Sequence, residues 1–240
     1  MNSARKKKAP APDLGGGDAR QDEVLRRLPH RIIEAQEIER RRAARELHDG
    51  VSQILASVRF RCRDIAGRIG ELADQRLRHD IRQMEKYLDA ALAEVRNISH
   101  DLRPSELDDL GLLPAIESLV THSRERSGLR IDLTLPRLRK RLPEEMELAI
   151  YRILQEAISN IERHASARTV NITLAKKPRS LLVSVEDDGR GFAASKRKKT
   201  GGLGLINMRE RAEFIDATIT FSSRSEKGTR LELFVPLPAK

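Results

Sequence analysis

The 240-residue sequence predicts a helical hairpin that pairs with a second copy as a four-helix bundle, followed by an α+β sandwich. Three observations carry this. Apolar residues recur at alternating three- and four-residue steps over two long stretches before Pro104. Charged residues make up 34% of the chain and aromatics 3%, with no Trp, a composition suited to long exposed helices. Past Gly111 the period changes, and short alternating stretches appear between helical segments and glycine-rich turns.

Residues 1–22 hold the run Arg5-Lys6-Lys7-Lys8 and then Ala-, Pro- and Gly-rich sequence. Such a segment buries too little apolar surface to offset the entropy of ordering, so a disordered basic tail is expected. Residues 23–105 are expected to form the hairpin. Leu28, Ile32, Ala35 and Ile38 begin the helical pattern, with Pro29 near its start. Leu47, Val51, Leu55, Val58, Cys62, Ile65 and Ile69 continue it. After a short connection around Gly70 to Asp74, a second helix carries Leu77, Ile81, Met84, Leu88, Ala91, Val95, Ile98 and Leu102 until Pro104 stops it. One hairpin cannot cover its own apolar seam, so a homodimer about a two-fold axis is expected from the pattern alone.

Residues 106–240 are expected to form a second domain. The pattern predicts a helix at about 113–126 and a strand at 130–135, then a long helix at about 143–165. Strands follow at 169–175 and 181–185, a helix near 205–214, and two closing strands at 217–222 and 229–235.

The chemistry begins in Arg45-Glu46-Leu47-His48-Asp49-Gly50-Val51-Ser52-Gln53. On a regular helix Asp49 and Gln53 share a face, with His48 beside them. A neutral imidazole accepts a phosphoryl group when a carboxylate holds its other ring nitrogen. Asp49 is placed for that, and the Gln53 amide for orienting a water in the reverse hydrolysis.

Three patches in the second domain point to a nucleotide. Glu156, Asn160 and either Arg163 or His164 follow one another at steps of four, opposite the core residues Leu154, Ala157, Ile158 and Ile161. An amide on such a polar face suits Mg2+, which takes few protein ligands. Asp187-Asp188-Gly189-Arg190-Gly191 follows an apolar strand, where an acidic acceptor can recognise an exocyclic amine. Gly201-Gly202-Leu203-Gly204-Leu205 opens a helix whose free N–H groups suit a phosphate chain.

The nine residues around His48 resemble the phosphoacceptor box of bacterial sensor histidine kinases of the nitrate-sensor and desaturase-thermosensor subfamily. The runs Glu94-Val95-Arg96, Asp101-Leu102-Arg103-Pro104 and Leu107-Asp108-Asp109-Leu110-Gly111-Leu112 resemble the end of that subfamily's second helix and its linker. The three later patches resemble, in order, the N, G1 and G2 boxes of the ATPase fold shared by histidine kinases, DNA gyrase and mismatch-repair ATPases. The resemblance covers about residues 30–238.

It implies that His48 is the phosphoacceptor, Asp49 its acid/base partner and Gln53 the amide of phosphatase activity. Asn160 would bind Mg2+, with Glu156 one turn before it and Arg163 and His164 near the phosphates of ATP. Asp187 would contact adenine, with Gly189, Gly191, Gly202 and Gly204 as loop glycines beside Leu205, and with Thr229 near the base. Two departures stand out. The lid between Phe192 and Gly201 is short and basic, Ser195-Lys196-Arg197-Lys198-Lys199, and Arg163 stands where many relatives carry Lys.

The implied function is Mg-ATP-dependent autophosphorylation of His48 and transfer to an aspartate of a response-regulator receiver domain, with regulator phosphatase activity beside it. The alternatives are an ATP-binding dimeric pseudokinase or scaffold, and a protein that is mainly a response-regulator phosphatase. A serine kinase of the anti-sigma type has no use for a histidine-bearing hairpin. The net charge of +10 raises nucleic acid as a partner, but the basic residues lie among Glu and Asp and stacking aromatics are scarce, so none is expected. The single cysteine excludes an internal disulfide. No run of about eighteen apolar residues occurs, so a cytoplasmic protein is expected, one that takes its signal from a separate sensory protein or domain.

Overall fold

Heptad-spaced residues and then alternating ones give the computed structural model its two halves. It describes residues 35–69, 74–102, 104–138, 140–191, 203–223 and 227–237, without the side chains of His48, His100 and Ser105. The chain divides into two units, Met1–Ile38 and Glu39–Lys240, and everything below from Glu39 onward belongs to the second.

Helix α1 covers 35–45, a π-helical turn follows at Glu46–Val51, and α2 runs from Ser52–Ile69. Helix α3 spans Gln75–Leu102. The ion pairs Arg59–Asp89 at 3.0 Å and Arg63–Glu85 at 3.7 Å cross between α2 and α3. Stepping up four residues on one helix and down four on the other, they fix an antiparallel register in which residue 48 lies level with residue 100. Of the expected connection around Gly70 to Asp74, residues 70–73 lie outside the described residues, as do the tail at 1–22 and the expected helix start at Leu28, Pro29 and Ile32.

Pro104, at φ −70° and ψ 128°, turns the chain away and starts a short helix, α4, at Ser105–Asp109. The sequence reading made this stretch a linker. Gly111, at φ +89°, then leads into α5, Leu112–Ser127. Arg141 holds this corner by donating to the carbonyls of Leu107 (2.8 Å) and Asp108 (3.1 Å) and to the buried Glu147 carboxylate (2.9 Å).

Strand β1 (Arg130–Thr134) pairs in parallel with β2 (Thr169–Lys177), and α6 (Glu144–Asn160) crosses between them. A second π-helical turn, Ile161–Ala165, ends α6. Strands β3 (Ser180–Asp187), β4 (Thr218–Ser223) and β5 (Thr229–Pro236) complete the sheet, with α7 (Leu203–Phe214) before β4. The order is β1-β2-β3-β5-β4, antiparallel beyond β2.

Burial alternates along the strands, so one face is covered. Val170, Ile172, Leu174, Leu181, Val183, Val185, Leu231, Leu233 and Val235 meet Ile150, Ile153, Leu154, Ala157 and Ile158 of α6 and Met208 and Ala212 of α7 in one core. Helix α6 is buried beyond its sheet-facing side, since Tyr151 and Arg152 are also enclosed.

Candidate functional site

His48 and Asp49 lie on the π-helical turn, and Gln53 lies in the first turn of α2. Widening shows in the hydrogen bonds, for the Ser52 N–H reaches back five residues to the Leu47 carbonyl, and the Ser52 hydroxyl accompanies it at 3.4 Å. The regular α spacing expected here is therefore interrupted at the histidine itself. Asp49 and Gln53 are both exposed, while the side chain of His48 lies outside the described residues. Such turns open the backbone ladder locally and recur at functional sites.

In the second half, β3 sets the first anchor. Leu181, Val183, Val185 and Asp187 share one parity and all are buried, so Asp187 ends an apolar row as a carboxylate, 5% exposed. Burial pushes its pKa up from the ordinary carboxylate range, and backbone N–H donors of Gly189 and Thr229 pull it partly back. The Gly189 N–H lies 2.9 Å from Oδ1. A side chain at 189 would strike the backbone of Ala165, and one at Gly228 would strike the carbonyl of Asp187. These two glycines let the ends of α6 and β5 close around the carboxylate.

Asp188 points the other way. Its Oδ1 accepts from the N–H groups of Arg168 (2.7 Å) and Thr169 (2.9 Å), which hold its carboxyl below the ordinary range. Arg190 staples the same turn to the end of α6, with its N–H on the Ala165 carbonyl at 2.8 Å and its Nε on the His164 carbonyl at 2.7 Å.

The Asn160 amide nitrogen donates to Glu156 Oε1 at 3.1 Å. The glycine-rich opening of α7 packs on this pair, because a Cβ at Gly204 would collide with the Glu156 carboxylate and come within 3.4 Å of Asn160. The structure thus brings Glu156, Asn160 and Gly204 together, with Leu205 half-buried beside them. It brings Asp187, Gly189 and Thr229 together at the strand ends, where Asp187 and Thr229 are register partners. Arg163 and His164 are exposed on the second π turn, where the step-of-four reading no longer applies. Gly191 takes φ +60° just after this loop. Gly202 and the basic lid lie outside the described residues.

Sequence reasoning passed over Asp188, Arg190, Gly228 and Arg152. The first two stood inside the quoted Asp-Asp-Gly-Arg-Gly run, and Gly228 immediately precedes Thr229. Nothing local marked Arg152, whose partners are some fifty residues away.

Residues 39–107 match a histidine kinase family, and residues 145–239 match the family of histidine kinase-, DNA gyrase B- and HSP90-like ATPases. The sensor histidine kinase MctS of Rhizobium johnstonii is 40% identical over 91% of this chain and 47% of its own length. The signal transduction histidine-protein kinase/phosphatase DegS of Brevibacillus brevis is 36% identical over 86% of this chain and 53% of its own. This chain therefore spans about half the length of those curated relatives. Among solved structures, the histidine kinase domain of a blue-light activated histidine kinase from Erythrobacter litoralis shares the fold at TM-score 0.51 and 20% identity, over 78% of this chain and 94% of that one. With the helical segment and the mixed-sheet ATPase domain in this order, the chain belongs to the sensor histidine kinases of the nitrate-sensor and desaturase-thermosensor kind.

Proposed function

We propose that the protein binds Mg-ATP between α6, the β3 turn and the start of α7, phosphorylates His48, and passes the phosphoryl group to an aspartate of a response-regulator receiver domain. The observation that carries this is the meeting of Gly204 with Glu156 and Asn160. It sets the N–H groups of a helix start against an acid–amide pair, within one compact unit that also holds the His48 turn. Residues 23–105 act as the dimerisation and phosphotransfer hairpin, and 106–240 as the ATP-binding domain.

The residues present fit a hard cation. Asn160 spends its amide nitrogen on Glu156, which leaves the carbonyl oxygen as the group it offers Mg2+. Among the described residues no three His, Cys, Asp or Glu side chains gather as a metal cage. Phosphate oxygens and water would complete the coordination. Bound there, Mg2+ would neutralise charge on the transferred group.

In the reaction one ring nitrogen of His48 forms a bond to the terminal phosphorus as the bond to ADP breaks. The Asp49 carboxylate accepts from the opposite ring N–H and steadies the cationic imidazole. Gln53 orients water when phosphate is removed from the regulator, a second activity in keeping with the kinase/phosphatase name of the Brevibacillus relative. Helix α1 works as the lever by which an upstream sensory domain or separate sensory protein alters packing at the π turn.

Incubation with labelled ATP is expected to give an acid-labile, base-stable phosphate on the wild type and none on His48→Gln. Label persisting in that variant overturns the assignment. Asn160→Ala and removal of Mg2+ by chelation are each expected to abolish labelling.

A further inference from the structure

Arg152 is the only lysine or arginine buried among the described residues, at 3% exposed. It lies on α6, yet it reaches carbonyls of the hairpin. The guanidinium donates to the carbonyl of Leu102 and, through Nη1, to the carbonyl of Asp101 at 3.3 Å and to Gln155 Oε1 at 2.7 Å. Gln155 Nε2 donates to the same Asp101 carbonyl at 3.1 Å. These are the closing carbonyls of α3, which have no partner within their own helix and carry the negative end of its dipole. A buried cation and an amide from the ATPase domain therefore cap the helix that stands opposite His48.

The contact extends on both sides. Arg126 of α5 reaches the Asp101 carboxylate at 3.6 Å and Glu162, two residues past Asn160, at 2.8 Å. Arg41, two turns before His48, lies 3.4 Å from Asp108 and from Glu144 in the first turn of α6. Helix α6 thus meets the hairpin at two levels. Glu144 is level with residue 41, and Arg152 with residues 46 and 47, which the register places opposite Asp101 and Leu102. Eight residues of α6, about 12 Å, carry the contact about 8 Å along the hairpin. Eight more lead to Asn160, so the cap on α3 helps set where along the hairpin the Asn160 end of α6 stands.

We propose that Arg152 and Gln155 are positioning residues for phosphoryl transfer: by capping α3 they set the height of the bound triphosphate relative to His48. The inference rests on the function proposed above. The hydrogen bonds given above for both groups go to the end of α3 and to one another, so their loss is expected to disturb alignment and not ATP affinity, and misalignment of reacting groups by about 1 Å costs up to about a hundredfold in rate.

The test uses the full chain as wild type, Gln155→Ala, Arg152→Lys and Arg152→Met. For each, the thermal midpoint, the affinity for a fluorescent ATP analogue and the initial rate of His48 labelling at saturating ATP are measured. Expected are affinities within about twofold of wild type and labelling slowed about tenfold or more in Gln155→Ala and Arg152→Met, with Arg152→Lys recovering part of the loss because it keeps the charge and N–H donors but not the planar fork. Labelling within about twofold of wild type in Gln155→Ala, faster labelling, or affinity falling in step with labelling each overturns the proposal. Gln155→Ala keeps the test open if the buried Arg152 variants fail to fold. Absence of label from the wild type overturns the function and this inference with it, whereas a labelled wild type with unaffected variants overturns this inference alone.

Discussion

Asp187 and Asp188 are chain neighbours whose titrations run in opposite directions. Asp187 continues the buried row of β3, and burial raises its pKa; Asp188 faces solvent and takes two backbone N–H bonds, which lower it. For Asp187 the unfolded chain ionises first as pH rises. Stability is therefore full below the ordinary carboxylate value of 3.8, falls as pH climbs from there through the raised folded value, and stays reduced at neutral pH. Asp188 has the reverse sign, its contribution being present above the ordinary value and lost as pH falls through the lowered one. Asp187→Asn is accordingly expected to raise the thermal midpoint at pH 7 and to lose that advantage below about pH 3.8, while abolishing ATP binding because an NH2 donor replaces one of the two oxygens that can accept from the base. Melting curves across pH and nucleotide titration check the two halves separately. The motif announced an acid here, but only the parity of the strand made it a buried one.

Elements meet at two glycines whose substitution should separate fold from function. A Cβ at Gly204 meets the end of the Glu156 side chain, which can swing aside; one at Gly228 meets the Asp187 backbone, which cannot, at a left-handed φ of +74°. Gly204→Ala is expected to melt near wild type but bind ATP about tenfold more weakly, about 1.4 kcal/mol. Gly228→Ala is expected to lose more than about 2 kcal/mol of stability, read by denaturant titration. The helix that carries His48 and the one that carries Asn160 each run into a π turn, at Glu46–Val51 and Ile161–Ala165. The apolar stripes predicted helix through both places. They gave no sign of the extra residue per turn, because a π turn is held by packing on neighbouring elements rather than by local propensity.

Across the whole molecule, the hairpin leaves Val51, Ile54, Val58 and Ile65 of the first helix and Leu77, Met84 and Ile98 of the second exposed. A contiguous apolar stripe of this kind marks an interaction face, and we propose that it is covered by a second copy. Light scattering is expected to give a dimer for the chain and a monomer for the double variant Ile54→Glu, Met84→Glu. No helix among the described residues is long and apolar enough to cross a membrane. What the sequence by itself determined were the properties set by neighbours in the chain. The heptad seam, the stop at Pro104, the alternation that marks the strands, and the order of the His48, Asn160, Asp187 and Gly204 motifs all follow from period and residue type. What only the tertiary structure decided were encounters between distant residues: Gly204 closing on Glu156, Gly228 on Asp187, and Arg152 buried against the end of α3. A guanidinium in a helical pattern reads as a solvated surface charge, and it becomes a clamp only when folding brings unpaired carbonyls from another element within reach of its donors.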